Sequence, residues 1–268
     1  MLFASIAENP LPRIRLTSAV RALTPSPMTG HHTGMPVLSE PKQVSGLTIR
    51  TFVEKEPKMF ALITKGDKAI LAFTRCALTN FAHSPVELHG VPIACSEQLF
   101  KMHCVSAHYD LPDCTNCDEV MQAIVNAKEP RFAKTATNVL VKFNPTLWNT
   151  LSQQAMLASI LLILTNPATF ERFKSIAAFA GEKELEVVEA NDDVNWGINM
   201  FAAPFMEQLT DKFGADPDAD LFETARGLYK GDNKLGKILT SVLTAIRPME
   251  HADYLEATKG ISFAELAQ

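Results

Sequence analysis

The sequence predicts an α+β fold: a predominantly helical single domain with a small β-sheet built from N-terminal hairpins. Two observations carry this. Before Cys95 the apolar residues come in short β-prone runs around Lys65-Gly66-Asp67 and His89-Gly90, the punctuation of hairpins. After Cys95 they recur at helical spacing, and Asn-Pro pairs mark helix starts. With 268 residues, 47% hydrophobic and 21% charged, the chain has material for a substantial core.

Residues 1–45 read as a disordered tail and Pro-rich linker. From Pro25 to Pro41 the chain carries four prolines, two glycines and the His31-His32 pair. An organelle transit peptide is the alternative, because Arg13, Arg15 and Arg21 stand among Ser and Thr with Glu8 the only acid before Glu40. The domain proper, 46–268, is expected to start near Gly46. Met59 to Ile63 and Ala69 to Phe73 form one hairpin; Val86 to Leu88 and Val91 to Ile93 form a shorter one. The polar loop from Thr79 to Pro85 lies between them.

Ser96 is the expected N-cap of the next helix, with Glu97 in its first turn. Glu97, Phe100, Cys104 and Ala107 share one apolar face, an unexpected place for an acid. A helix is expected from Pro130 to Phe143, with Phe132, Ala136, Val139, Leu140 and Phe143 on its apolar side. Asn144-Pro145 and Asn166-Pro167 open two more helices, the second ending at Gly181. The run from Ala155 to Leu164, broken only by Ser159, is too short to span a bilayer and reads as buried helix. Residues 199–230 carry Asp211, Asp216, Asp218, Asp220 and Glu223 and read as a solvated surface element. Asn233 is expected to cap a last apolar helix (Leu235, Ile238, Leu239, Val242, Ile246) that Pro248 ends.

The chemistry concentrates in two stretches. Glu189-Ala190-Asn191-Asp192-Asp193-Val194-Asn195-Trp196-Gly197 follows the strand-like run Leu185 to Val188, where Asn191 and Asp192 break the strand. Three acids, two Asn and a Trp meet there; a tight turn with a Trp over the core is the plain alternative. The second stretch is Lys230-Gly231-Asp232-Asn233-Lys234-Leu235-Gly236-Lys237, followed by an apolar helix and Arg247. An acid, D-x-x-W-G and then G-x-N-x-L-G, preceded by Thr79-Asn80-Phe81 and Ser96-Glu97, resembles the NADAR (YbiA-like) family of N-glycosidases. The resemblance covers roughly residues 70–248, with the motifs in the family's order.

That resemblance implies hydrolysis of an N-glycosidic bond in a ribosylated small molecule. The implied substrates are a ribosylaminopyrimidine phosphate of riboflavin synthesis or ADP-ribosylated guanine. Two carboxylates flanking the bond, Glu97 and Asp193, would support charge at the sugar and move protons. Trp196, beside Gly197, would stack the base. Asn80, beside Phe81, would hold ribose hydroxyls. The Gly231–Asn233 turn would meet phosphate at a helix N-terminus, aided by Lys234.

The chain departs from the family at three places: Cys104 stands where a lysine is common, Thr137-Asn138 where G-R follows A-K, and Leu162-Ile163-Leu164 where A-K-F follows Trp148. A catalytically decayed module that binds ADP-ribose or NAD-type ligands is therefore the second reading.

No cofactor is implied, and no metal. Cys104, His108, Cys114 and Cys117 form C-x3-H-x5-C-x2-C, a spacing of no common zinc site, so a zinc-stabilised interaction protein is the third reading. Five cysteines without a pairing framework favour a reducing compartment, here the cytoplasm. The expected partner is a ribosyl or phosphoribosyl small molecule and not a membrane. Net charge −5 also argues against a dedicated nucleic-acid binder, so DNA enters only as a carrier of modified guanine.

Overall fold

Both expected hairpins form, but in two separate sheets, in a computed structural model that describes residues 13–21, 37–51, 60–74 and 76–259. The fold is mixed α and β, as expected. The described residues fall into two compact units: 13–21, 80–171 and 249–259 in the first, 37–51, 60–74, 76–79 and 172–248 in the second.

The second unit holds a five-stranded sheet. β1 (Lys42–Val44), β2 (Leu47–Thr51), β3 (Phe60–Lys65) and β4 (Lys68–Phe73) run antiparallel in succession. The β3–β4 hairpin turns at Gly66-Asp67 as expected, with Ile63 opposite Ile70; Met59 lies outside the described residues. The β1–β2 pair begins earlier than the expected start, and Gly46, at φ +78°, is its turn residue. The fifth strand, β7 (Glu184–Glu189), joins parallel to β4 with Leu71 opposite Val187. It is the strand read from Leu185 to Val188, now an edge of this sheet.

Two helices of residues 199–230 cover the sheet. α7 (Ala202–Ala215) lays Phe205, Leu209 and Phe213 on Ala61, Ile63, Ile70 and Ala72, and α8 (Leu221–Arg226) adds Leu221, Phe222 and Ala225. The acidic surface element is thus a core element. Its charges occupy one face, while aromatic and aliphatic residues one helical turn apart occupy the other. α9 (Lys234–Ile246) packs on β7 and buries Leu235, Leu239, Val242 and Ile246 as expected, with Ile238 half-buried.

The first unit is built around α2 (Ser96–Ser106), ten of whose eleven residues are buried, Lys101 being the exception. A helix covered all round is a central strut, not a surface helix with one apolar stripe. Around it stand α3 (Cys117–Val125), α4 (Pro130–Ala136) and α5 (Pro145–Ile163). β5 (Val86–Leu88) and β6 (Val91–Ile93) form the second expected hairpin, as a separate two-stranded sheet. Asn144 caps α5 through a bond from the Leu147 N–H at 3.0 Å. Asn166 likewise accepts from Thr169 at the start of α6 (Pro167–Ala178). α10 (His251–Thr258) is tied back by the Tyr254 hydroxyl to the Leu161 carbonyl.

Three expectations about this unit change. The helix from Pro130 stops at Ala136: a 3₁₀ turn follows, Leu140 takes ψ 121°, and Lys142 has φ +55°. Thr135, Thr137, Val139 and Val141 are weak helix formers, and Phe132 and Val139 end up exposed. Ser96 is the first helical residue, Cys95 holding the cap position. Within the expected tail, residues 13–21 pack: Ile14, Leu16 and Val20 are buried, and α1 (Ser18–Arg21) forms. The Arg15 N–H donates to Ser106 Oγ at 2.8 Å. Residues 1–12 and 22–36 lie outside the described residues. No single helix among the described residues is long and apolar enough to cross a membrane.

Candidate functional site

Asn80 grips Glu97 through both main chain and side chain. The Glu97 N–H donates to the Asn80 carbonyl at 2.8 Å, and the Ser96 hydroxyl donates to the same carbonyl at 3.3 Å. That carbonyl does what an N-cap side chain would otherwise do, satisfying a donor at the open end of α2. The Asn80 side-chain amide then donates to Glu97 Oε2. Glu97 is only 2% exposed. A buried acid is costly unless paired, and the pairing is here: Lys101 Nζ lies 3.9 Å from Oε1, one turn along the helix. Lys101 also sits over the Phe100 ring, itself in contact with Trp148.

The neighbouring positions fill in this group. Phe81 is half-buried beneath the Lys134 ammonium, 5.8 Å from the ring centre. Cys104 is buried, and burial pushes its thiol up to about 12, only partly opposed by Lys101. At neutral pH it is an uncharged thiol. Ile163 is buried in α5, and Asn138 is exposed in the 3₁₀ turn.

In the second unit the two sequence motifs lock into one another. Asp193 Oδ1 accepts from the Asn195 and Trp196 N–H groups, each at 2.9 Å, folding D-x-x-W-G into a turn. The carbonyls of that turn then receive the start of α9. Asp232 donates to Val194, Asn233 to Gly197, Lys234 to Asn195 and Leu235 to Trp196, at 2.9–3.3 Å. Of the Gly231–Asn233 turn expected to meet phosphate, the Asp232 and Asn233 donors are thus already used. Helix N-termini bind anions only when their N–H groups point outward.

The glycines of both motifs have packing reasons. A Cβ on Gly231 would sit 2.6 Å from the Gly197 carbonyl oxygen, and one on Gly197 would meet Asn191 Oδ1 at 1.9 Å. Asn233 is 1% exposed and adopts φ +50°. Its side chain does not cap α9. Oδ1 accepts from the Glu189 N–H and Nδ2 donates to the Val187 carbonyl, both at 3.0 Å, pinning the helix to β7. Gly197, Gly231 and Asn233 are therefore structural in this arrangement. Lys234 is partly exposed, its ammonium 3.4 Å from Asp232. Trp196 and Asp193 are half-buried.

One residue here was absent from the expected site. Glu189 ends β7 and is 6% exposed, and its Oε1 accepts from Asn191 Nδ2 at 2.9 Å. The signal in the sequence was its place at the head of the acidic stretch, directly after an apolar strand.

The zinc reading loses its histidine. His108 Nδ1 lies 2.7 Å from the Cys104 carbonyl and its Nε2 accepts the Asn144 N–H at 3.0 Å, so both ring nitrogens are used. Among the described residues no three His, Cys, Asp or Glu side chains are grouped to hold a metal. In comparisons with known proteins, no family model matches the chain and no curated protein matches it.

Proposed function

We propose that the protein hydrolyses an N-glycosidic bond in a ribosylated small molecule, as a NADAR (YbiA-like) N-glycosidase, with Glu97 acting at the bond. The observation that supports this reading is the buried Glu97 carboxylate between the Asn80 amide and the Lys101 ammonium. Packing gives no reason for an acid there, since a leucine would fill the space without desolvation cost. A pre-oriented carboxylate suits hydrolysis: it stabilises positive charge on the sugar, takes a proton from the attacking water as the C–N bond breaks, and passes that proton to the departing nitrogen. Asn80 is a positioning residue in this scheme. Charge support by Asp193 and base stacking by Trp196 rest on the motif, and Asp193 also builds its own turn. The five free cysteines suit a reducing, cytoplasmic setting.

A specific observation favours the second reading, a module that binds ADP-ribose or NAD-type ligands without turnover. Cys104 is a neutral buried thiol and Ile163 a buried aliphatic where basic residues are common in the family. The test is incubation with ribosylaminouracil phosphate and with ADP-ribosylated guanine, following released base. Release from either substrate supports the glycosidase. Binding without release, restored to release by Cys104→Lys, supports the decayed module. Neither binding nor release sinks both.

A further inference from the structure

The C-x2-C pair of the first unit is left over from the site above. Cys114 precedes α3 and Cys117 opens it, and their sulfur atoms lie 2.9 Å apart. A disulfide is about 2.05 Å long, so bond formation asks for a sulfur displacement of about 0.9 Å. The two thiols differ in setting. Cys114 is half-buried and reachable, whereas Cys117 is 4% exposed. Burial, then the hydrogen bond with Cys114, pushes the Cys117 thiol up to about 12. Between them Asn116 donates to the Val139 carbonyl at 2.8 Å and accepts from the Val141 N–H at 2.9 Å, so the loop carrying the pair is held in place.

We propose that Cys114 and Cys117 form a thiol–disulfide exchange site that takes low-molecular-weight disulfides of the glutathione class. The Cys114 thiolate attacks one sulfur of glutathione disulfide, breaking the S–S bond and releasing one glutathione thiolate. Cys117 then attacks Cys114 Sγ, its proton passing to solvent. The second glutathione leaves as thiolate, and both thiolates take up the protons the cysteines lost. The protein's two thiols are oxidised and one glutathione disulfide is reduced to two glutathiones. Because the buried Cys117 thiol is a poor leaving group, reductive attack on Cys114 Sγ, which must expel it, is slow.

The test equilibrates the full chain, natively folded, in buffers of rising glutathione disulfide to glutathione ratio, then alkylates free thiols and maps them by mass spectrometry. The expected result is joint loss of alkylation at Cys114 and Cys117, a peptide linked between them, and the same behaviour in C104S. The variant C117S is expected to stop at a glutathione adduct on Cys114. The proposal is overturned if both thiols stay alkylatable at the most oxidising ratio, or if the link formed includes Cys104. It is equally overturned if C117S gains no adduct while circular dichroism shows it folded. Should C117S not fold, the wild-type and C104S maps decide alone.

Discussion

The side-chain amide of Asn80 donates to the carboxylate of Glu97, while the Asn80 carbonyl receives the Glu97 N–H at 2.8 Å. One residue thus fixes both the helix start and the orientation of its buried acid. Asn80→Ala removes the amide donor and leaves the main-chain bond. Stability should fall by about 1–3 kcal/mol, the cost of leaving a buried charged group short of a partner. In a Glu97→Gln background the same change should cost measurably less, which urea unfolding of the double-mutant cycle reads directly.

Asn233 provides a sharper structural test. Asn233→Ala loses both bonds to β7 and forces a Cβ residue to keep φ +50°. Asn233→Gly loses the bonds but is at ease in that backbone region. Both should destabilise by about 2–4 kcal/mol from two unsatisfied buried groups, with Ala worse than Gly by about 1 kcal/mol. Equal losses in thermal unfolding would mean that the left-handed backbone is not retained.

The ion pair of Lys68 with Asp220 gives a pH signature. The hydrogen bond from Lys68 holds Asp220 below the usual carboxylate range, and the bond to Asp220 raises Lys68 above its ordinary value. Asp220 therefore contributes stability that is present above its unfolded pKa of about 4 and lost as pH falls through the lower folded value. Lys68 contributes stability that is present below its unfolded pKa of about 10.4 and lost as pH rises through the higher folded value. Lys68→Met should flatten the acid side of the Tm–pH curve. Asp220 also accepts the Phe222 and Glu223 N–H groups, so some acid dependence should remain.

Ile14 sits fully buried in a stretch that composition alone marks as tail. Ile14→Ala should cost about 2–5 kcal/mol, and deleting residues 1–21 should lower Tm by at least as much as the point change. A deletion with unchanged Tm would show that this segment does not pack.

What was legible in the sequence was local. The turns at Gly66-Asp67 and His89-Gly90, and the Asn144 and Asn166 caps, depend on residues within a few positions and came out at the expected places. Long-range pairing was not legible. Nothing near Glu184–Glu189 announces a parallel partner at Lys68–Phe73. Burial of α2 on every side depends on three helices that follow it in the chain. Residues 199–230 misled because Asp211, Asp216 and Asp218 are conspicuous, while Phe205, Leu209 and Phe213, the residues that matter for packing, are four apart. The Gly231–Asn233 turn looked like an anion site because a sequence cannot show that the Val194 and Gly197 carbonyls have taken the Asp232 and Asn233 donors.

The central claim, that Glu97 acts on the glycosidic bond, is tested most directly by turnover of Glu97→Gln. The measurement is kcat for base release from ribosylaminouracil phosphate or ADP-ribosylated guanine, whichever the wild type cleaves, together with ligand Kd. Gln keeps the shape and an acceptor for Asn80 but removes the charge. The account predicts a fall in kcat of about 100-fold or more with little change in Kd, the mark of a group that works in the transition state. Unchanged kcat in a folded Glu97→Gln protein would contradict it.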